Sequence, residues 1–320
     1  MKKIKTIFFG TPDFAVPSLE VLNRHPLVDL KGVVSMPDRP SGRGRQLRSP
    51  EVAQYAKENR IPLLQTSNIN RETEYFKKLE NERIELVIVL AFAQFLGDKL
   101  LRLPSEGCFN IHTSLLPKYR GAAPIQYALL NGDDSTGVSI QKMVKKMDAG
   151  DIAWSSTLNI SEDDTGGQLY TRLKYQAALS LNDFIYGFSD NDLKFQKQDE
   201  SKASFAPALK KEDGFLDFKT KTISQLKNQI RALDPWPGTY CMLNSKRIKV
   251  FEIQAEKEGP SLAPGASEVK NNKIFVGCKD GAARIGDLQI EGKQRCSDSA
   301  LLNGLKEKVN INPSNQDNNR

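Results

Sequence analysis

Residues 1–160 alternate short apolar runs with amphipathic segments, and this alternation limits the folds open to the chain more than any other feature. We predict four buried strands, each rich in Val, Ile, Leu or Phe, at Ile4–Gly10, Val28–Ser35, Ile84–Ala91 and Gly107–His112. Helices are predicted between and after them at Asp13–Asn23, Glu51–Glu58, Glu72–Leu79 and Pro124–Asn131. Such alternation favours a mostly parallel sheet covered on both faces. The prediction is a doubly wound α/β domain, Rossmann-like, whose ligands bind at the carboxyl ends of the strands.

The chain beyond this alternation is expected to extend the sheet and then to form a second domain. Residues 135–143 and 150–158 are predicted as two further strands, and a helix is predicted from Asp164 to Phe188. The polar segment that follows suits a linker, and the short strand-like runs after it, with Gly and Asn between them, predict a small OB-like β-barrel. The predicted organisation is a catalytic domain at 1–189, a linker at 190–207 and a barrel at 208–320.

The charge of +7 is unevenly distributed along the 320 residues. Residues 201–320 carry 20 Lys and Arg against 14 Asp and Glu, whereas residues 1–200 carry 26 against 25. A basic C-terminal part suits a polyanionic partner, although a basic surface that only improves solubility explains the composition equally well.

Other features narrow the class of protein. No apolar run approaches the roughly 20 residues of a membrane span, and the N-terminus lacks the features of a cleavable signal peptide. The four cysteines are scattered, without a CxxC pair or a neighbouring histidine. We therefore expect a reduced cytoplasmic protein without a metal site or membrane contact, and nothing in the sequence demands more than a monomer.

The segment FNIHTSLLPKYRGAAP, residues 109–124, contains one of the chain's two histidines. Asn110 and His112 lie two residues apart at the end of a predicted strand, so both side chains point to the same side, toward the expected crevice. An amide donor beside a group that exchanges protons near neutral pH can stabilise an oxyanion and transfer a proton, as acyl transfer requires. No Ser or Cys nucleophile in a Gly-flanked turn accompanies them, which favours direct attack by a substrate amine. Taken alone, the motif also fits a hydrogen-bonded core histidine.

Further along, KMDAGDI places Asp148 in a turn between two predicted strands. A carboxylate there could accept a hydrogen bond from the imidazole and take the proton of an attacking amine, although Asp in a turn is more often a local cap. His25 precedes a proline at a helix end and is expected at the surface. GTPDFA has a single Gly, which excludes the GxGxxG motif and, with it, a nicotinamide cofactor.

The segment PDRPSGRGRQLRSP follows the second predicted strand and contains four arginines: Arg39, Arg43, Arg45 and Arg48. With its Pro, Ser and Gly residues it is predicted to be a flexible basic loop beside the crevice. Arginines interspersed with glycine suit phosphates and exposed RNA bases, although a solvated surface loop has a similar composition.

Several separated segments agree in order and spacing with one enzyme family: GTPDFAVPSLEVL, PDRPSGRGRQLRSP, NIHTSLLPKYRGAAPIQYALLNG, TGVSI with KMDAGDI, SFAPALKKEDGFLDF and NQIRALDPWPG. From about Ile4 to Asn303 the chain resembles the folate-dependent formyltransferases, and in particular the members that act on an aminoacyl-tRNA. The resemblance implies transfer of the formyl group of 10-formyltetrahydrofolate to the α-amine of methionine on initiator tRNA, for translation initiation.

The resemblance also implies roles for individual residues. Asn110 would bond the formyl oxygen as it becomes anionic, His112 would stabilise that oxyanion and help to protonate the departing folate nitrogen, and Asp148 would hold His112, with an ordered water, and help to deprotonate the amine. Folate contacts are implied for Leu90, Phe92, Gln94, Ser114, Leu115, Leu116 and Pro117. Contacts with the tRNA or its methionine are implied for Phe14, Arg39, Arg43, Arg45, Lys246, Arg247 and Lys249.

Two positions depart from the family pattern. Phe92-Ala93 stands where a Tyr-Gly pair is usual, and the loss of a Gly there would change how closely the backbone approaches the pterin. Ala149 stands where Thr is common, which removes a secondary hydrogen bond.

Three other functions share parts of this pattern. A sugar-nucleotide N-formyltransferase has the same trio and donor, but its acceptor does not need so much cationic surface. A non-enzymatic RNA-binding protein would not need all three catalytic side chains. A hydrolase that deformylates the folate would not need a basic C-terminal domain. The sequence therefore predicts formyl transfer to a tRNA.

Overall fold

The computed structural model describes residues 2–41, 46–244, 246–256, 259–304 and 310–312. Its helices are α1 (Val16–Arg24), α2 (Glu51–Glu58), α3 (Thr73–Glu82), α4 (Asp98–Leu101), α5 (Pro124–Leu130), α6 (Gly166–Ser189), α7 (Ile223–Ala232) and α8 (Asp298–Gly304). Its strands are β1 (Ile4–Gly10), β2 (Val28–Ser35), β3 (Arg39–Ser41), β4 (Gln46–Arg48), β5 (Leu63–Gln65), β6 (Leu86–Leu90), β7 (Gly107–His112), β8 (Arg120–Gly121), β9 (Ser135–Lys142), β10 (Ile152–Asn159), β11 (Phe205–Ala206), β12 (Tyr240–Leu243), β13 (Lys246–Ala255), β14 (Ser267–Lys270), β15 (Lys273–Cys278), β16 (Gly281–Ile290), β17 (Cys296–Ser297) and β18 (Ile311–Asn312).

The chain forms two compact units. The first consists of Met1–Pro124, Ser135–Asn159 and Tyr170–Pro207, and the second of Ile125–Asp134, Ile160–Leu169 and Ala208–Arg320. The segment predicted as a linker, 190–207, thus groups with the first unit. Gln196 and Ile152 exchange both backbone hydrogen bonds, at 2.8 and 2.9 Å, and β11 pairs in parallel with β8. Because its backbone groups are paired with the rest of the unit, this segment is a packed part of it and not a free connection.

The first unit is built on a mostly parallel sheet with the order β10-β9-β7-β6-β1-β2-β5. The five strands from β7 to β5 are parallel, and β9 and β10 add an antiparallel edge. Phe8 and Phe9 point to opposite faces, and both are fully buried, so packed side chains cover the sheet on both sides. This confirms the predicted doubly wound class. The strand order reverses between β1 and β6, where Gly10 pairs with Leu90, and a ligand crevice is expected beside these ends.

The helix predicted over Asp13–Asn23 begins later than expected. Asp13–Ala15 form a 3₁₀ turn, and α1 starts at Val16 with a proline in its first turn. Because Pro17 has no N–H to donate, it is accommodated at the start of an α-helix and not in its interior.

The second unit contains an antiparallel sheet with the order β14-β15-β16-β13-β12-β18, and β17 pairs with β16. Its two edge strands lie close together, and the Ile311 amide on β18 donates to the Ser267 hydroxyl on β14 at 2.9 Å. The sheet is therefore a curled half-barrel, as the predicted OB-like architecture requires. Asp298, fully buried at the start of α8, accepts from the Arg284 guanidinium at 2.8 Å and fixes that helix to β16.

Two kinds of feature are absent from the described residues. None of their helices is long and apolar enough to cross a membrane. They also contain no group of three or more His, Cys, Asp or Glu side chains arranged to hold a metal ion. Burial raises the pKa of the thiols of Cys108, Cys241 and Cys278 to about 12, so these three are neutral packing residues.

Candidate active site

The polar side chains of two neighbouring strands form the floor of the site. Asn110 and His112 lie on one face of β7, and across the antiparallel pair with β9 they stand opposite Gln141 and Ser139. Directly paired residues share a face of the sheet. All four side chains therefore point to the same side, next to the carboxyl end of β6.

His112 is buried, with 6% of its surface exposed. Its Nε2 lies 2.9 Å from the carbonyl oxygen of Tyr119. Because a carbonyl only accepts, Nε2 carries the proton of this hydrogen bond. Nδ1 lies 3.8 Å from Oδ2 of Asp148, so a protonated ring forms an ion pair with the carboxylate. The direct hydrogen bond predicted between these two groups is absent because this distance is too long, and the Tyr119 carbonyl orients the ring instead.

Asp148 accepts hydrogen bonds from three separate elements. Its Oδ2 accepts from the Gly121 amide at 2.9 Å, and its Oδ1 accepts from Gln141 Nε2 at 3.0 Å and from Asn110 Nδ2 at 3.4 Å. Its φ of 49° lies in the left-handed region. Donors outside the turn thus fix the direction of the carboxylate, which distinguishes it from a local turn cap. The structure brings all three predicted catalytic residues together.

The predicted folate loop 114–117 is held in place by internal bonds. Ser114 is fully buried, and its hydroxyl donates to the Lys118 carbonyl at 2.6 Å. The Ser139 hydroxyl on β9 donates to the Ser114 carbonyl at 2.7 Å and accepts from the Leu116 amide at 3.0 Å. The Ser114 side chain is therefore committed to the loop itself.

The next three residues of this loop border a cavity of about 220 Å³. Leu115, Leu116 and Pro117 line it, together with Gln196 and Gln198. The catalytic trio does not line this cavity. These three predicted folate contacts therefore line a cavity to which the trio does not contribute.

The residues after β6 show how the pair Phe92-Ala93 is accommodated. The ring of Phe92 packs edge-on against Phe9, with 5.3 Å between centroids. The left-handed residue of this turn is Ala91, with a φ of 50°, and Ala93 is not among the residues with positive φ. Ala93, where the family usually has Gly, therefore does not adopt the left-handed conformation that favours Gly.

Gln94, another predicted folate contact, uses its side chain within the protein. Its Oε1 accepts from the Ile69 amide at 2.7 Å, and its Nε2 donates to the Thr66 carbonyl at 2.7 Å and contacts Met36 Sδ at 3.1 Å. Leu90 ends β6 and is buried. Any ligand contact of these two residues is therefore made by the backbone. The Phe95 ring, 57% exposed, is the apolar surface that this turn presents to solvent.

The basic loop contains a short hairpin. β3 and β4 pair in antiparallel fashion, with Arg39 directly opposite Arg48. The loop is thus more ordered at its base than predicted, while Arg43 and Arg45 lie outside the described residues. Like charges opposed across a hairpin destabilise it, and neither arginine forms an ion pair with a described residue. Leu47, which precedes Arg48 and pairs with Pro40, is 71% exposed. An anionic partner would relieve the repulsion.

Phe14 is 4% exposed, and its ring packs edge-on against Tyr170 at 4.8 Å. Asp13 fixes this pair, because it accepts from the Tyr170 hydroxyl and from Lys174 Nζ, the latter at 2.7 Å. The Phe14 side chain is therefore packed within the protein and exposes little surface to a ligand.

In the second unit, the basic residues of β13 divide between its two faces. Arg247 and Lys249 share the outer face, and Arg247 stacks on Tyr240 with 3.6 Å from its guanidinium carbon to the ring centroid. Lys246 lies on the opposite face, because side chains alternate between the two faces along a strand. Arg295, which sequence reasoning missed, lies over the Phe251 ring at 4.2 Å. The outer face thus combines cations with aromatic rings, a combination suited to nucleic acid.

Four side chains that contact the trio or its neighbours were not predicted: Arg120, Ser139, Gln141 and Gln198. A signal for two of them exists, because Ser139 and Gln141 are buried polar residues two positions apart on β9. Their spacing matches that of Asn110 and His112 on β7. No comparable signal marks Gln198, which stands in a polar segment that resembles a linker.

Comparisons with known proteins agree with this geometry. The family described as Formyl transferase matches residues 2–183, and the family described as Formyl transferase, C-terminal domain, matches residues 208–306. The chain is 38% identical over 310 residues to methionyl-tRNA formyltransferase of Geobacter metallireducens, covering 96% of this chain and 97% of the relative. It is 36% identical over 301 residues to the enzyme of the same name from Thermotoga maritima, covering 94% and 95%.

Solved structures of lower identity share the fold. One is WlaRD, a sugar 3N-formyl transferase determined with dTDP and 5-N-formyl-THF, with a TM-score of 0.65, 22% identity, and coverage of 92% of this chain and 100% of that chain. Another is HypX from Aquifex aeolicus in complex with tetrahydrofolic acid, with a TM-score of 0.60, 15% identity, and coverage of 97% and 51%.

Proposed function

Because this chain belongs to the methionyl-tRNA formyltransferase family, we propose that it transfers the formyl group of 10-formyltetrahydrofolate to the α-amine of methionine on initiator tRNA. The observation that carries the proposal is the convergence of an amide, an imidazole and a carboxylate at the carboxyl end of β7. Acyl transfer to an amine needs a donor for the oxyanion, an acid for the leaving nitrogen and a base for the attacking nitrogen. The three side chains of this chain can supply these roles. We propose that the reaction takes place in the cytoplasm, where aminoacyl-tRNA is used.

Asn110 and His112 act on the formyl oxygen and on the leaving group. Asn110 Nδ2 donates to the oxygen as the amine attacks the carbonyl carbon and negative charge develops there. His112, protonated beside Asp148, stabilises the same charge. It then gives its proton to the N10 atom of the folate as the C–N10 bond breaks. Burial of His112 keeps bulk water from competing for this proton.

Asp148 accepts the proton that the attacking amine loses. Gly121 and Gln141 donate to its two oxygens and direct the carboxylate at the space in front of Asn110. Oδ2 of Asp148 also lies 3.8 Å from Nδ1 of His112. The Asp148 carboxylate thus acts on the attacking amine and lies beside the imidazole that protonates the leaving nitrogen.

The formyl donor would bind by backbone contacts and apolar surface. Gln94 and Ser114 use their side chains internally, which leaves the backbone of 90–94 to bond a pterin. The exposed rings and side chains of Phe95 and Met147, 57% and 66% exposed, provide apolar surface on the two loops that follow β6 and β9. These features fit a flat heteroaromatic ligand with polar edges.

For the tRNA, we propose contacts from both units. The opposed Arg39 and Arg48 need an anion to offset their repulsion, and Arg43 and Arg45 belong to the same basic segment. In the second unit the outer face of β13 offers Arg247 and Lys249 to phosphates, with Lys246 at the strand's end. Phe14 and Tyr170 would form part of the wall around the methionine side chain.

The test is a formylation assay with purified protein, 10-formyltetrahydrofolate and two acceptors, Met-tRNA and a dTDP-linked amino sugar. We expect formylmethionyl-tRNA and no formylated sugar. Formylation of the sugar alone would reject the tRNA as substrate, and product from neither acceptor would reject the proposed reaction.

A further inference from the structure

We propose that Gln198 is a positioning residue for the reaction, because it holds the turn that carries Asp148 in its working conformation. This inference rests on the proposed function, since it assigns Asp148 the role of base. Gln198 lies outside the predicted catalytic domain at 1–189. Its amide nitrogen bonds the carbonyls of Asp148 and Gly150 and the side chain of Gln141, and in this way it acts on the reacting groups through their surroundings.

The Gln198 amide group donates to the backbone on both sides of the Asp148–Gly150 turn. Its Nε2 lies 2.9 Å from the Asp148 carbonyl and 2.7 Å from the Gly150 carbonyl. It also lies 3.2 Å from Oε1 of Gln141, which in turn accepts from the Gly150 amide at 3.0 Å. A single side chain thus bonds the two carbonyls that flank this turn and the residue that supports it.

The turn needs such support because its backbone is unfavourable. Asp148 has a φ of 49°, and a non-Gly residue holds a left-handed conformation only where the surroundings fix it. The carbonyl of Asp148 that accepts from Gln198 belongs to this residue itself. A change in that bond therefore changes the backbone angles that aim the carboxylate at Asn110.

Gln198 is itself held by a buried arginine. Arg120 is 1% exposed, and its Nε and Nη2 donate to Gln198 Oε1 at 3.1 and 2.7 Å. Its remaining donors reach Glu200 at 3.1 and 3.0 Å, and Lys146 reaches Glu200 at 2.7 Å. Hydrogen bonds from Arg120 and then Lys146 lower the pKa of Glu200 to about 2, so this arrangement stays charged at neutral pH.

The orientation of the Gln198 amide follows from these partners. Arg120 has only donors, so it must face the amide oxygen, and two carbonyls can face only the amide nitrogen. Glutamate at this position keeps the acceptor for Arg120 but places an oxygen against the two carbonyls. The Gln198→Glu substitution therefore keeps the hydrogen bonds from Arg120 but removes those to the Asp148 and Gly150 carbonyls.

The experiment compares Gln198→Glu, Gln198→Leu and the control Lys194→Ala in the full-length protein. Lys194 is exposed in the same segment, does not line the cavity beside residues 115–117, and its side chain does not bond the turn. We expect kcat for formyl transfer to Met-tRNA to fall about 10–100-fold in both Gln198 variants, because small misplacements of a catalytic group have costs of this order. KM for Met-tRNA should stay within about twofold of wild type, because Gln198 is not among the residues proposed to contact the tRNA.

A structural readout accompanies the kinetics. In crystal structures of the two Gln198 variants, we expect the φ of Asp148 to leave the left-handed region or its carboxylate to turn away from the Gly121 amide. Wild-type kcat with an unchanged Asp148 turn in Gln198→Glu would overturn the proposal, as would an equal loss in Lys194→Ala. If Gln198→Leu does not fold, Gln198→Glu decides alone. An inactive wild-type enzyme would instead reject the proposed function, and the Asp148 conformation would still decide the role of Gln198.

Discussion

The backbone amide of Gly121 donates to Oδ2 of Asp148 at 2.9 Å. This bond joins the loop that follows His112 to the turn that follows β9, two segments 27 residues apart in the chain. The same loop supplies the Tyr119 carbonyl that orients the imidazole. The position of the acid and the position of the base are therefore set by one loop.

Asp148→Asn should leave the fold intact and reduce kcat by about 10²–10⁴-fold, the usual range for loss of a general base. Asn keeps an acceptor for the Gly121 amide but cannot take a proton from the amine. Asp151→Asn in the same segment is the matched control and should keep near-normal kcat. Circular dichroism and single-turnover kinetics check both variants, and near-normal kcat in Asp148→Asn would remove the proton role.

Asn110→Ala should reduce kcat by about 10²–10³-fold, because removing one oxyanion donor has an effect of this size. Binding of tetrahydrofolate, measured by calorimetry, should change little. If folate affinity falls as much as kcat, Asn110 binds the donor in the ground state and does not act on the oxyanion.

Gly121→Ala should weaken both stability and catalysis. Gly121 has a φ of 122°, and a Cβ there would lie 2.7 Å from the Ala206 carbonyl oxygen, so β8 would have to move away from β11. A strained backbone of this kind has a cost of about 1–3 kcal/mol. The free energy of unfolding and kcat are measured together, with Gly304→Ala as the control. Among the described residues beyond its own helix, no atom lies within 4 Å of a Cβ at that position. An unchanged kcat in Gly121→Ala would show that the Gly121–Asp148 bond is dispensable.

Arg43→Ala should lower kcat/KM for Met-tRNA more than for a small amine acceptor, since the residue is expected to contact only the tRNA. The dependence of log KM on log salt should also become shallower, because one phosphate contact is lost. Arg24→Ala is a suitable control: its guanidinium is 73% exposed and pairs with Glu20 on the surface of α1. Equal losses on both acceptors would contradict the tRNA role.

The stability of the protein should fall as the pH drops through about 6.5. His25, expected at the surface, is instead 5% exposed, packs against Tyr186 at 4.6 Å and accepts from the Leu27 amide at 3.2 Å. Burial lowers the pKa of His25 below its ordinary value of 6.5, so near that pH the unfolded chain binds a proton that the native protein does not.

Denaturant unfolding at several pH values measures this effect. His25→Asn keeps an acceptor for the Leu27 amide, and its free energy of unfolding should depend less on pH just below 6.5 than that of wild type. The lowered pKa values of Asp13 and Asp298 act only at lower pH, below about 3.8, so they do not obscure the comparison. Identical pH dependence in the two proteins would exclude His25 as the cause.

The parallel sheet could be predicted because its strands are apolar on both faces, and α2 could be predicted because apolar periodicity and clear boundaries mark it. Asn110 and His112 could be predicted as a pair because they lie two residues apart on a strand and so point to the same side. Asp148 could be proposed from its turn between two predicted strands. These are local signals, which a sequence displays directly.

The contacts that position the trio could not be predicted, because they depend on tertiary pairing. Gln198 meets Asp148 across 50 residues, and Arg120 meets Glu200 across 80. Nothing in the composition of 190–207 distinguishes a packed segment from a flexible linker. His25 was misplaced for a similar reason, because the element that covers it, α6, lies far along the chain.

The most direct test of the account is single-turnover formylation of Met-tRNA by wild type and His112→Ala, with initiator and elongator Met-tRNA in parallel. We expect rapid formylation of the initiator form by wild type, little of the elongator form, and a loss of at least about 10²-fold in the variant. Formylation by His112→Ala at the wild-type rate would contradict the catalytic role of the trio, and equal rates on the two tRNAs would contradict the proposed specificity.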